Sequence, residues 1–565
     1  MSTPPRGWVP SWQGLIAALV LLDLVLVFPA RPADLSGAAF LRVPLELPVL
    51  TLLLALAPFA LKPLLRAAAT VLLVLLVAIK AGNLAIEAAF ARPFDPLSDI
   101  AIAGAAWHFV AGTLGVAGAV LASLLAVLLV AALAGALFRA CRRLSTRRTE
   151  RATAVGGTLL AVALLLTVTT ERGGGAPSWQ LARQQAMLLA EGIRDDARFR
   201  QEAAADPFRA VPADRLLAGL KEGGSAPDVL LVFFESYGRV ALDSPLYDDS
   251  VAKALRRFAG SIEAAGYGAR SAWIASPTFG GESWFAHSTF VSGVRIHDSR
   301  RYEKLLQSDR ATLIGDFRRA GWRTVAVMPA MILPWPEGAY FGFDRVYRAP
   351  ELEYRGPKWN WIETMPDQFT LAQFRRFEVD KAGGPEANKQ DPGGQKTDRA
   401  PLMAEIGLVS SHQPWVPVPP LLPWDRLGDG SVFTDFVQHA ETDQDVWKDP
   451  GRVRVYYGRT VDYVLQVLEQ FIVAYPRDAL FIIVGDHQPI SLVSGDGAPR
   501  DVPIHIVGKP ATLAALQGWG WSEGMRPAAD APVWPMEAMR ARLLGAFTPA
   551  GAEAAATAGT VPAAP

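Results

Sequence analysis

The chain has 565 residues, more than one hydrophobic core sustains, so two or more domains are expected. Lys+Arg and Asp+Glu both total 55, a balance without the basic excess that a nucleic-acid partner requires. A single cysteine, Cys141, excludes an intrachain disulfide and a metal site built from several thiolates.

Mean hydropathy is +0.20, and most of the long apolar runs lie before residue 171. Five stretches, 12–30, 46–65, 68–90, 110–138 and 153–170, each approach the ~20 residues that a bilayer core requires. The first lacks a cleavage site of small residues and is read as an uncleaved span. The connection after the fourth stretch carries Arg139, Arg142, Arg143, Arg147, Arg148 and Arg151. Basic loops stay in the cytoplasm, so the fifth span runs outward and everything after Thr170 is expected outside. The same rule places the N-terminus with Arg6, and the loop with Lys62 and Arg66, inside. Between the third and fourth spans, 91–109 holds two prolines and two aspartates and is expected as an outer loop. These readings describe a multi-pass protein of a cell inner membrane, with residues 1–170 in the bilayer and a periplasmic remainder.

Residues 171–224 are Arg-, Ala- and Glu-rich with helical periodicity, and read as a juxtamembrane connector hinged at 173–175. From 225 to 547 short apolar runs alternate with helical patterns. The runs are 228–234, 271–276, 323–328, 402–410, 479–485 and 502–508, and helices are expected over 250–265, 308–320 and 452–473. That alternation predicts an α/β domain with a mostly parallel sheet covered on both faces. The Gly- and Lys-rich segment 380–400 is expected as a surface insertion, and 548–565 as a disordered tail.

In such sheets ligands bind beyond the carboxyl ends of the strands, so the residues just after each apolar run are the candidates. Glu235 follows 228–234, His412 follows 402–410, and Asp486 with His487 follow 479–485. "SPTFGGESWFAHSTFVSG" (276–293) follows 271–276 and sets Ser283 behind Gly280 and Gly281 at the mouth of a helix. Each position alone reads equally well as a cap or a turn. Together, two of only seven histidines stand with two acids at one sheet end. Glu235, Asp486 and His487 are a mixed oxygen and nitrogen set suited to one divalent ion, Mn²⁺, Zn²⁺ or Mg²⁺. Ser283 would complete that set, and coordination would make its hydroxyl a nucleophile near neutral pH.

These motifs resemble the alkaline phosphatase/sulfatase superfamily. With a membrane anchor ahead of them, the chain is similar to lipoteichoic acid synthases and related phosphoglycerol or phosphoethanolamine transferases. The resemblance implies that Glu235, Ser283, Asp486 and His487 hold the metal, Mn²⁺ first among the candidates. It also implies that His412, in "SHQPW", meets the phosphoryl group. Ser283 is in phase with the sulfatase pattern, because Ser292 and Gly293 follow it by nine and ten residues. Two departures narrow the resemblance. Phe285 stands where a formylglycine sulfatase requires proline, and one cysteine cannot make the disulfides of the phosphoethanolamine branch.

The expected activity is transfer of a phospho-substituted head group from a membrane phospholipid to an envelope glycan or glycolipid, through a covalent serine intermediate. A phosphodiesterase, phosphatase or sulfatase-like hydrolase using the same site is the alternative. An inactive envelope-binding protein is the alternative of another class. Arg355, Trp359 and Trp361 offer a sugar or phosphate subsite, since indole faces stack on sugars and guanidinium binds phosphate. A packed tryptophan cluster beside a surface arginine fits the same residues.

Overall fold

The computed structural model describes residues 12–41, 44–145, 153–162, 176–222, 226–359, 365–380 and 400–549. Trp361, the hinge 173–175 and nearly all of 380–400 and 548–565 lie outside the described residues. The chain divides into two compact units, Met1–Asp196 and Ala197–Pro565.

In the first unit apolar helices stand at all five expected places: α1 (Trp12–Val27), α2 (Glu46–Leu56), α3 (Lys62–Phe90), α4 (Ile100–Leu144) and α5 (Thr153–Val162). Among the described residues only two helical stretches, Phe59–Phe90 and Leu114–Leu144, are long and apolar enough to cross a membrane. A bundle of five full spans is therefore not established by helix length. The expected span 46–65 is broken because Pro58 forces Ala57 into an extended conformation (ψ 142°), ending α2 at Leu56. The expected outer loop 91–109 is also shorter. Arg92 pairs with Asp99 at 2.7 Å, and α4 begins at Ile100, with a break at Gly115 where φ is 74°.

Polar contacts gather helix ends at two poles of this unit. At one, Lys62 Nζ donates to Ala55 O and Ser145 O, Arg66 Nε to Ser145 Oγ, and Arg143 to Gly14 O. This joins the start of α1, the end of α2, the start of α3 and the end of α4, the pole that the basic-loop rule puts in the cytoplasm. At the other, Lys80 Nζ reaches Val25 O and Leu26 O near the end of α1, where the last carbonyls of the helix lack partners of their own. A further helix, α6 (Pro177–Ala204), starts at this second pole.

Among the described residues the second unit is built on a sheet of nine strands. They are β1 (Asp228–Phe234), β2 (Gly268–Ala275), β3 (Arg323–Met328), β4 (Arg345–Arg348), β5 (Leu402–Leu408), β6 (Ala479–Gly485), β7 (Asp501–Gly508), β8 (Ser522–Glu523) and β9 (Val533–Pro535). The order is β4-β3-β5-β1-β6-β7-β2-β8, with β9 beside β2. The block from β4 to β6 is parallel, whereas β7 is antiparallel to both β6 and β2. The sheet is thus mixed. The apolar runs of β7 and β2 match those of the parallel strands because both faces are covered, so burial pattern alone does not report strand direction.

Alternate residues of β1 feed two cores. Leu230, Val232 and Phe234 pack under α7 (Asp248–Ala264) and α11 (Pro450–Val473). Val229, Leu231 and Phe233 pack under α8 (Ser283–Ser292), α9 (Leu313–Arg319) and the terminal α12 (Ala538–Phe547). A further helix, α10 (Asp367–Phe374), lies on the first face. This arrangement sets the first residue of α8 at the carboxyl end of β1, next to Glu235.

Candidate metal and phosphoryl-transfer site

Two strand ends and one helix start converge. β1 delivers Glu235, β6 delivers Asp486 and His487, and α8 delivers Ser283. The chain enters α8 through Gly280 (φ 71°), Gly281 (φ 154°) and Glu282 (φ 61°). Three consecutive residues in the left-handed region make a turn that two glycines ease and one acid strains. Gly280 N donates to Gln488 O at 2.9 Å, tying this turn to the segment after Asp486 and His487.

Ser283 Oγ donates to Glu235 Oε2 at 3.0 Å and lies 3.2 Å from His487 Nε2. His487 Nε2 is 3.3 Å from Glu235 Oε1 and 3.7 Å from Asp486 Oδ2. Each donor's other atoms are occupied. Asp486 Oδ1 accepts the backbone N–H groups of Ser236 and His487, both at 2.7 Å, which leaves Oδ2 for the cluster. His487 Nδ1 donates to Gln488 O at 2.8 Å, so Nε2 faces the other donors. Glu235 Oε1 also accepts from Ser236 Oγ at 3.0 Å.

The charges are held by one another. Burial works against the Glu235 carboxylate, but the His487 imidazole beside it holds that carboxyl far below the usual carboxylate range. Burial, then the Glu235 charge, pushes Asp486 up to about 7. Burial also opposes a charge on His487, yet Asp486 and Glu235 raise it to about 9. Two buried carboxylates around one imidazole make a place that retains positive charge.

The donor set fits a divalent ion. Glu235, Asp486 and His487 are all buried, and one ligand atom from each lies within 4.8 Å of the others. Ligands roughly 2.1 Å from a tetrahedral ion lie roughly 3.4 Å apart. The separations of 3.0, 3.2, 3.3 and 3.7 Å bracket that edge.

The remaining expected residues fall out differently. His412 lines a shallow cleft whose enclosed volume is about 10 Å³, together with Trp359, Met365, Ser410, Trp415 and prolines 417 and 419. Its Nδ1 donates to Gln413 O at 2.5 Å, and its charge is among those acting on Glu235. Trp359 is buried in that cleft, with Nε1 donating to Tyr354 Oη at 2.7 Å and its ring against Phe433 and Phe436. Arg355 is exposed, and its backbone N–H donates to Asp429 O. No contact brings its guanidinium to the cluster among the described residues.

Sequence reading missed the residues that hold the site in place. Ser411 Oγ donates to Glu235 O at 2.6 Å, and Tyr457 Oη to Ser236 O at 2.9 Å. Asp367, at the start of α10, accepts the N–H groups of Val409 and Ser410 and so fixes the turn before His412. His287, one turn along α8 from Ser283, donates from Nδ1 to the buried Glu405 of β5 at 2.9 Å and stacks on Phe233 with ring centres 3.6 Å apart. Ser236 and Ser411 carried a signal as neighbours of Glu235 and His412, and His287 as a member of the 276–293 segment.

No protein-family model matches the sequence, and a comparison with curated proteins finds no match. Solved structures do match. The lipoteichoic acid synthase LtaP from Listeria monocytogenes is 13% identical over 62% of this chain and 78% of its own, with a TM-score of 0.36. The phosphoglycerol transferase GacH from Streptococcus pyogenes, solved with sn-glycerol-1-phosphate, is 12% identical over 65% and 87%, with a TM-score of 0.37. The periplasmic domain of the phosphoethanolamine transferase EptC from Campylobacter jejuni is 12% identical over 57% and 89%, with a TM-score of 0.34.

Proposed function

We propose that this chain is a membrane-anchored phosphotransferase of the alkaline phosphatase/sulfatase type. It moves a phospho-substituted head group from a phospholipid to an alcohol of an envelope glycan or glycolipid. The supporting observation is the position of Ser283 Oγ, 3.0 Å from Glu235 Oε2 and 3.2 Å from His487 Nε2, at the first turn of a ten-residue helix. Free N–H groups at a helix start favour the negative charge of a phosphoryl group.

In the first step a bond forms between Ser283 Oγ and phosphorus, and the bond from phosphorus to the lipid alcohol breaks. Ser283 releases its proton to water, to be taken back from water when the second step frees it, and the departing alcohol gains one from His412, the candidate donor at the cleft wall. In the second step the acceptor alcohol attacks the phosphoserine, loses its proton at the same place, and frees Ser283. Bound at Glu235, Asp486, His487 and Ser283, a divalent ion (Mn²⁺, or Zn²⁺ or Mg²⁺) would lower the serine pKa and neutralise phosphoryl charge. Trp359 is assigned to the wall of the acceptor cleft.

The test is the intact mass of the full chain after incubation with phosphatidylglycerol and phosphatidylethanolamine, without acceptor. A mass added at Ser283 names the transferred group. Continued turnover by Ser283→Ala, with no adduct on the parent protein, would overturn the proposal. Release of the group to water rather than to an alcohol would make the enzyme a phosphodiesterase.

A further inference from the structure

Helix α6 carries an apolar face that belongs to neither core. Within its first twenty residues Trp179 and Ile193 are 66% and 68% exposed, and Ala182, Ala186, Leu189 and Ala190 are exposed beside them. At roughly 100° per residue these six positions fall within roughly 100° of the helix circumference. Arg183 and Arg194 border the stripe on one side.

The side of the helix that adjoins this stripe is tied down at two points. Ser178 and Trp179 donate their backbone N–H groups to Glu46 Oε1 at 2.9 and 3.0 Å, and Ser178 Oγ reaches Leu26 O at 3.4 Å. Seven residues on, Gln185 Nε2 donates to Phe94 O at 3.0 Å. Leu26 is at the end of α1, Glu46 begins α2, and Phe94 follows the end of α3. All three belong to the pole opposite the Lys62, Arg66 and Arg143 contacts. A helix pinned across roughly 10 Å to helix ends of one pole runs along that pole rather than away from it.

We propose that residues 177–196 form an interfacial helix whose apolar stripe lies in the outer headgroup layer of the phospholipid bilayer. Tryptophan at the start of the stripe and arginines at its edge are what that layer selects. The face is too narrow and too broken by alanine for a span, and suits shallow burial. The proposal rests on the reading that α3 and α4 cross the membrane with this pole outward.

The experiment uses the full chain in sealed phosphatidylethanolamine/phosphatidylglycerol vesicles, with Cys141 replaced by serine. Single cysteines at Ala186, Ile193 and, on the polar side, Gln184 carry a spin label. Collision with oxygen is compared with collision with a water-soluble nickel complex. Labels at 186 and 193 should favour oxygen several-fold over the label at 184. Equal nickel access at all three would overturn the proposal. Strong label–label broadening at 193 would mean that a second copy covers the face, and would also overturn it. An impermeant maleimide that fails to reach Gln184→Cys from the outer side would sink the orientation itself, which separates that failure from the other two.

Discussion

On the proposed reading Ser283 attacks, Asp486 holds the ion and His412 moves a proton, so their substitutions should part company. Ser283→Ala removes the attacking oxygen while leaving Glu235, Asp486 and His487 in place. Turnover should fall by roughly 10³-fold or more, with metal content measured by elemental analysis near that of the parent. Ser283→Thr supplies the same oxygen and should retain part of the activity. In Asp486→Asn the amide oxygen can still accept from Ser236 N and His487 N, which turns an NH₂ toward the ligand position. That variant should fold and lose metal affinity by at least roughly tenfold; unchanged metal content would place the ion elsewhere. His412→Ala should lower kcat by roughly 10²-fold with metal unchanged. Loss of metal would make His412 a ligand. The chemistry-bearing groups were legible because each follows an apolar run. The roles of Ser411, Tyr457 and Asp367 were not, because these residues act through backbone atoms whose proximity no linear pattern encodes.

The strand ends depend on close backbone approach. A Cβ on Gly485, the residue before Asp486, would run into the carbonyl oxygen of Tyr237, a backbone atom that cannot swing aside. Gly485→Ala should therefore shift the end of β6, lowering both the melting temperature and the metal content. A Cβ on Gly238 would meet the buried Gln488 side chain and also the Gln488 Cα. Gly238→Ala should therefore displace the segment after His487 and likewise lower the melting temperature and the metal content, as thermal shift and elemental analysis would show. Helix α8 shows the same coupling of element to site. Gly293 closes it in the left-handed region (φ 66°) with its N–H on Thr289 O, so its length between Ser283 and Ser292 is set at both ends.

For the molecule as a whole, buried His505 gives a pH signature. Its ring lies 2.8 Å from Ser271 Oγ and 3.2 Å from Tyr237 Oη, and burial pushes its pKa down to about 3. Its folded pKa lies below the ordinary value near 6.5, so the unfolded chain takes up a proton that the folded chain refuses. The associated stability is fully present above pH 6.5 and is lost as pH falls toward 3, by about 2 kcal/mol at pH 5. Equilibrium denaturation in detergent at pH 7.5 and pH 5 should show that loss in the parent and a smaller one in His505→Gln. A divalent ion should act in the opposite sense. At about a hundred times its Kd it should add about 2.7 kcal/mol of stability, read as a rise in melting temperature that Asp486→Asn lacks.

The sequence by itself determined which runs are buried and what stands after each, because burial on both faces leaves an unbroken apolar run and the polar residue beyond it is conspicuous. It therefore named Glu235, Ser283, Asp486 and His487 and the α/β character of the second unit. Tertiary structure alone decided that β7 runs antiparallel to β6, since its side chains are buried whichever way the strand points. It alone decided that Pro58 ends α2 at Leu56 while Gly115 leaves α4 helical on both sides of its break, because hydropathy averages over a break that the backbone feels. It also turned Asp486 Oδ2 toward His487 Nε2 and that nitrogen toward Ser283, and it left Arg355 exposed. Side-chain direction follows from which backbone N–H groups and carbonyls come within reach, and those partners lie up to 250 residues away in the chain.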